Sequence, residues 1–210
     1  MQRGCERRVG WRVLCASAAL GIQALARADE APPPAEPAAT SEHAEGLGAL
    51  LTLLARRERG AADFTEEQDL ALLKTPLHSS GVLIYQAPDH LEQRTELPHP
   101  QTAVLDHGVL TVQAGHHRRT LRLSDAPQLA PLLDAVRAVL AGDRSALERL
   151  FTLRFSGSLE HWQLQLEPRD AVLANTLEHI ALAGERDQVQ QVEVLQKSGE
   201  HSLMHLSARP

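Results

Sequence analysis

Eleven histidines, a serine pair and a scatter of carboxylates are the residues of this chain with chemical reach. The densest imidazole grouping is His116-His117, with His107 and His99 near it in sequence. Adjacent side chains on a strand point to opposite faces, so His116 and His117 can share one ion only where the backbone turns. Surface turn histidines are the plainer reading. Ser79 and Ser80 invite a Ser-His-Asp relay, but no spacing supports one, and Gly81 behind them marks a strand start better. No G-x-S-x-G elbow, phosphate loop, dinucleotide fingerprint or H-E-x-x-H pair occurs. A non-enzyme is expected, with no catalytic residue, no metal and no cofactor.

Both cysteines, Cys5 and Cys15, sit in an N-terminal segment that reads as a leader. Arg3, Arg7, Arg8 and Arg12 make a basic start, and residues 13–26 form an apolar run too short to span a bilayer comfortably. Ala26-Arg27-Ala28 then supplies the small residues of a cleavage site, so residues 1–28 are expected to be a signal peptide cut after Ala28. A retained anchor is the alternative, opposed by the small-residue flank and by the lack of a second apolar segment. Leu14 stands where lipidation of Cys15 would want a small residue. The mature chain would carry no thiol, which excludes disulfides, thiol catalysis and cysteine metal sites. The periplasm of a Gram-negative bacterium is the expected address. The leader holds five of the 21 basic and one of the 27 acidic residues, so the mature net charge falls to about −10. That excludes nucleic acid and anionic lipid headgroups as electrostatic partners.

The elements that must position any site follow from spacing. Residues 29–40 (DEAPPPAEPAAT) lack large apolar side chains and read as an extended or disordered tether, leaving residues 41–210 as one domain. Leu47, Leu50, Leu51 and Leu54 recur at helical spacing, and Gly60 is placed to end that helix. Residues 64–124 read as strands and turns. The stretch 76–98, PLHSSGVLIYQAPDHLEQRTELP, is two strands broken at Pro88 and stopped at Pro98. Asp106-His107-Gly108 is a hairpin turn with glycine at the left-handed position. Ser124 or Asp125 can cap a helix over 126–141, Gly142 ends it, and Asp143 can cap a second short helix through Leu150. Strands resume at 151–155 and 161–167, and after a turn of helix at 170–175 they continue to 207, with Gly199 in the last hairpin turn.

About ten strands, one helix before them and two in the middle give an α+β layout without β-α-β alternation. Short links favour antiparallel neighbours, and twist curls such a sheet toward an unclosed β-barrel with the helices as a lid over the inner side. A leucine-rich inner face under that lid is a physical recipe for an apolar cavity. The mature aromatics are only Phe64, Tyr85, Phe151, Phe155 and Trp162, too few for the stacking platforms of sugar or nucleobase sites. Aliphatic ligands fit better, although Leu83, Leu110, Leu121, Leu153, Leu164 and Leu166 would line a plain core equally well.

The segment from Leu50 to Phe64, the 76–98 hairpin and AVLDHGVLTVQ together resemble the LolA-type periplasmic outer-membrane lipoprotein carriers. The matching order is an N-terminal helix, a phenylalanine-led first strand, Gly81-x-Leu83 opening the second, Pro88 after it, Pro98 ending the next, and Asp106-x-Gly108 turning into the fifth. Trp162-x-Leu164-x-Leu166-x-Pro168 and late turns at Gly184 and Gly199 continue it, over residues 44 to 207. The resemblance implies an apolar cavity for the acyl chains of a lipoprotein, received from an inner-membrane donor and delivered to an outer-membrane acceptor by a monomeric carrier. The expected cavity wall is Leu83, Tyr85, Leu110, Val112, Leu121, Phe155, Trp162 and Leu164, and the expected lid is Leu129, Leu132, Leu133 and Val136. In these carriers an arginine before the proline after the second strand bonds to the lid. Ala87 stands there in this chain, so the latch is expected to be absent or rebuilt with Arg94, Arg118 or Arg119, and the cargo to be a lipoprotein or another lipid. A lipid-responsive sensor on the same fold, and a periplasmic hydrolase or acyltransferase, are the alternative functions.

Overall fold

The structure, a computed structural model, describes residues 38–71, 73–126 and 130–209. The expected signal peptide lies outside the described residues, as does the tether up to residue 37, and the first helix, α1 (Ala38–Ala55), begins within the last tether residues. Eleven strands follow among the described residues. The first six are β1 (Arg59–Asp69), β2 (Leu77–Gln86), β3 (His90–Leu97), β4 (Gln101–Asp106), β5 (Val109–Ala114) and β6 (His117–Arg122). After a 3-10 turn at Leu123–Asp125 come α2 (Ala130–Leu140) and α3 (Arg144–Leu150). Then follow β7 (Phe151–Gly157), β8 (Trp162–Pro168), α4 (Ala171–Ala174), β9 (Leu177–Glu185), β10 (Gln188–Gln196) and β11 (His201–Ala208).

All eleven form one antiparallel sheet in the order β6-β5-β4-β3-β2-β1-β11-β10-β9-β8-β7. The chain ends pair in the middle as β1 and β11, while β6 and β7 remain edges that do not meet, so the barrel is unclosed. The inner face is the one on which the helices pack. Leu47, Leu50, Leu51 and Leu54 of α1, with Ala135, Ala138 and Val139 of α2 and Leu147 of α3, join Phe151, Phe155, Trp162, Leu164, Leu166, Ile180 and Leu182 in the main core. Each fully buried leucine there contributes about 1.5–3 kcal/mol through water exclusion.

Local chemistry explains most boundaries. Asp143 caps α3, its carboxylate accepting from the Ala146 N–H at 2.9 Å, and Asp170 caps α4 through the N–H groups of Val172 and Leu173. Gly142 closes α2 in the left-handed region (φ 63°), with the Asp143 N–H returning to the Ala138 carbonyl. Three expectations shift, and the β4–β5 turn keeps its expected left-handed glycine. Gly60 does not end a helix but pairs with Tyr85 inside β1, which starts five residues before Phe64 rather than at it. Gly184 lies within β9, opposite Val189, and the turn there is Arg186-Asp187 with Arg186 at φ 51°. In the β4–β5 turn His107 (φ 46°) shares the left-handed region with Gly108 (φ 71°), the geometry of a two-residue turn matched to strand twist. Ala126 is outside the helix that was expected to start there, and α2 is described only from Ala130.

Candidate functional site

Register aligns the inner-face side chains in rows. On one wing of the sheet Leu121, Leu110, Leu105, Leu91 and Tyr85 stand opposite one another across β6 to β2. The neighbouring row is Arg119, Val112, Ala103, Gln93 and Leu83. On the other wing Met204, Val192, Leu182, Leu164 and Phe155 run from β11 to β7. Gly81 lets β2 sit close to β3 and to Phe64 of β1, because a Cβ there would strike the Arg94 carbonyl oxygen and crowd the Phe64 ring. A polar seam separates the wings at one end of β1. There Glu66 accepts from Ser202 Oγ at 2.7 Å, Gln68 Nε2 at 2.8 Å and Ser79 Oγ at 3.2 Å.

Coverage differs between the wings. Three helices seal the β7–β10 wing, leaving Leu164 0% and Trp162 1% exposed, and Phe155 is buried in the same core. Among the described residues the β2–β6 wing is met by α2 and by Leu123 of the 3-10 turn. Leu133 packs with Leu91, Ala103 and Val112 against a small cluster of Leu105, Leu110 and Leu123. Of the residues expected in the wall, Leu110 and Tyr85 are buried here and Leu83, Val112 and Leu121 are half-buried. Of the expected lid, Leu133 and Val136 are half-buried on α2, Leu132 lies in α2, and Leu129 falls outside the described residues. Two depressions lie elsewhere. One of about 160 Å³ sits at the β1–β2 loop around Leu70, Leu73 and Pro76. The other, about 510 Å³, is a groove whose Thr65, Glu67, His78, Ser80, Leu203 and His205 belong to the outer face, beside Leu97.

A contact that was not anticipated joins α2 to the β2–β3 turn. Arg137 of α2 points one guanidinium nitrogen at Asp89 Oδ2, 3.9 Å away in the β2–β3 turn, and donates from Nη1 to Asp134 Oδ1 at 3.2 Å. Tyr85 stands beside this pair. Burial raises its phenol above the ordinary range, the Arg137 charge opposes that rise and the Asp89 charge adds to it. Arg94, offered for this role, pairs instead with Glu92 at 2.6 Å. Arg118 and Arg119 lie on the edge strand β6, where charge protects an open sheet edge from pairing. The sequence signal that could have found Arg137 was an arginine three residues after an aspartate on the lid helix, which reads equally well as a surface pair.

The chemistry-bearing residues do not assemble into a reaction centre among the described residues. Ser79 spends its hydroxyl on Glu66, and Ser80 stands opposite Thr65 on the other face. His116 and His117 are exposed at the β5–β6 turn, and His99 is exposed beyond β3. His107 joins Asp106, 3.0 Å away, and with Asp89 these offer three ligand atoms within 4.8 Å, mostly solvent-exposed. No described helix is long and apolar enough to cross a membrane.

With this geometry in place the relatives can be set beside it. A family described as "Outer membrane lipoprotein carrier protein LolA-like" matches residues 38–208, and the chain belongs to that family. It is a family of carriers and binders. No curated protein matches the chain. Among solved structures, the chain is similar to a LolA superfamily protein from Nitrosomonas europaea at 11% identity and TM-score 0.41, covering 77% of this chain and 91% of that one. A putative outer membrane lipoprotein-sorting protein domain from Vibrio parahaemolyticus is similar at 13% identity and TM-score 0.39, over 79% and 93% of the two chains. The MucA/MucB complex structure from Pseudomonas aeruginosa matches at 16% identity and TM-score 0.42, over 78% of this chain and 58% of that one.

Proposed function

We propose that this protein is a periplasmic carrier that holds acyl chains of a lipoprotein or another lipid against the inner face of the β2–β6 wing and moves them toward the outer membrane. The observation that carries the proposal is the unequal coverage of the inner face in the two wings that the polar seam separates. Leu83, Val112 and Leu121 are left half-buried beside α2, while Leu182, Leu164 and Phe155 of the other wing are buried under the helices. Tyr85, Leu83, Leu110, Val112 and Leu121 form the wall, and α2 with Leu129, Leu132, Leu133 and Val136 forms the lid. Phe155, Trp162 and Leu164 hold the scaffold. Binding draws on about 0.8 kcal/mol per buried methylene, so affinity rises about fourfold per added methylene until the wing is filled. A signal peptide over residues 1–28, an inner-membrane donor and an outer-membrane acceptor belong to the same proposal. Native mass spectrometry of protein isolated from its own periplasm tests it. A mass increment equal to an acylated molecule is expected. Protein of bare mass that also fails to bind a fatty-acyl probe overturns the proposal.

A further inference from the structure

At the lid end of the apolar rows one polar atom has no use in the structure. Arg137 Nε is buried without a hydrogen-bond partner among the described residues. The other guanidinium nitrogens are engaged, one with Asp134 at 3.2 Å and one facing Asp89 at 3.9 Å, the latter beyond hydrogen-bond distance. Asp89 is itself mostly covered, with its side chain 14% exposed. A buried cationic N–H without an acceptor is expensive, and such an orphan in a folded protein calls for a partner that the described residues do not supply. An aliphatic chain lying along Leu121, Leu110, Leu105 and Leu91 arrives at Tyr85, next to this donor. Methylene groups cannot satisfy it, whereas the first oxygen after the chain can.

Charge decides which oxygen. Arg137 already faces two carboxylates, Asp89 and Asp134, so one cation and two anions give the cluster a formal charge of about −1. A free fatty carboxylate entering it would meet repulsion, while an uncharged ester or amide carbonyl would accept from Nε without adding charge. We propose that Arg137 is a ligand-binding residue that donates from Nε to the carbonyl of an acyl ester or acyl amide, so that the site takes acylated molecules rather than free fatty acids. This rests on the carrier reading and names the part of the cargo that reading leaves open. The donor rides on α2, so cargo recognition and lid position are joined in one side chain.

The test compares ligands that differ only in the carbonyl. Dodecanoylglycerol, dodecylglycerol (an ether of equal chain length) and dodecanoate are titrated against the full chain and against Arg137→Gln, with Arg94→Gln as a control on the opposite face of the sheet. The unaltered protein should bind the ester about tenfold more tightly than the ether, the scale of a hydrogen bond to a charged donor. The carboxylate should bind no better than the ether. Arg137→Gln should bring the ester down to the ether while leaving the ether unchanged, and Arg94→Gln should alter neither. Equal binding of ester and ether by the unaltered protein overturns the inference without any variant and leaves the carrier reading standing. An equal loss of both ligands in Arg137→Gln also overturns it. Failure of all three ligands to bind the unaltered protein overturns the carrier reading and this inference together.

Discussion

The two wings of the sheet are built from the same alternating pattern, yet one packs into the main core under three helices and the other holds only a small cluster beneath α2. In β8 the alternation Trp162, Leu164, Leu166 is exposed to 1% or less, and in β9 Ile180 and Leu182 are buried too, at 2% and 7%. In β2, β5 and β6 the equivalent positions Leu83, Val112 and Leu121 are half-buried. Strand chemistry does not separate them. The helices do, because α1 and α3 both lean on β7 and, among the described residues, α2 extends toward the opposite wing through Leu133.

That comparison can be broken by substitution. Leu164→Ala in the sealed wing should cost about 3–4 kcal/mol of stability, by loss of transfer energy plus an unfilled cavity, measured by urea unfolding, with acyl-probe affinity unchanged in the folded protein. Leu83→Ala should show the reverse, about 1 kcal/mol in unfolding and a clear loss of probe affinity. Equal stability costs at the two positions would mean that both wings are core. Leu133→Glu places a charge in the contact between α2 and the Leu105–Leu110–Leu123 cluster. It should cost about 2 kcal/mol and lower probe affinity by about tenfold or more. Probe binding that survives it would remove α2 from the lid.

Smaller effects sharpen the same contrast. Asp143 belongs to the sealed wing, and the N–H of Ala146 with the Ser145 hydroxyl hold its carboxyl below the ordinary aspartate value. A depressed carboxyl stabilises the fold above its unfolded-state pKa and loses that contribution as pH falls through the folded value. Asp143→Asn should therefore lower the melting temperature slightly near neutrality, with the difference closing as the solution is acidified below the ordinary aspartate range. Probe affinity should not follow it. A gap that widens in acid would show that the cap acts by another route.

The rows themselves were legible from sequence, because alternation at Trp162-x-Leu164-x-Leu166 and helical spacing at Leu47, Leu50, Leu51 and Leu54 are local signals. So were the caps at Asp143 and Asp170, where the side chain acts within three residues. The division of the face was not, since identical alternation serves a sealed core and an open wall, and the covering helix lies far away in sequence. Gly60 read as a helix stop because glycine permits one, but its pairing with Tyr85 is decided by the sheet. Arg137 was missed because its partner Asp89 sits in a remote turn, while the nearer Asp134 makes it resemble an ordinary surface pair. Both strand-breaking prolines were visible, yet nothing beside Ala87 announced that Asp89 in the same turn would face an arginine of α2.

The central claim is a place: acyl chains lie on the inner face of the β2–β6 wing and not in the outer groove of about 510 Å³ beside Leu97 and Leu203. Cross-linking with a photoreactive fatty-acyl probe, followed by peptide mapping, tests it most directly. The account predicts adducts on β2, β5, β6 and α2, centred on Leu83, Val112, Leu121 and Leu133. Adducts concentrated on Thr65, His78, Leu97, Leu203 and His205 would contradict it.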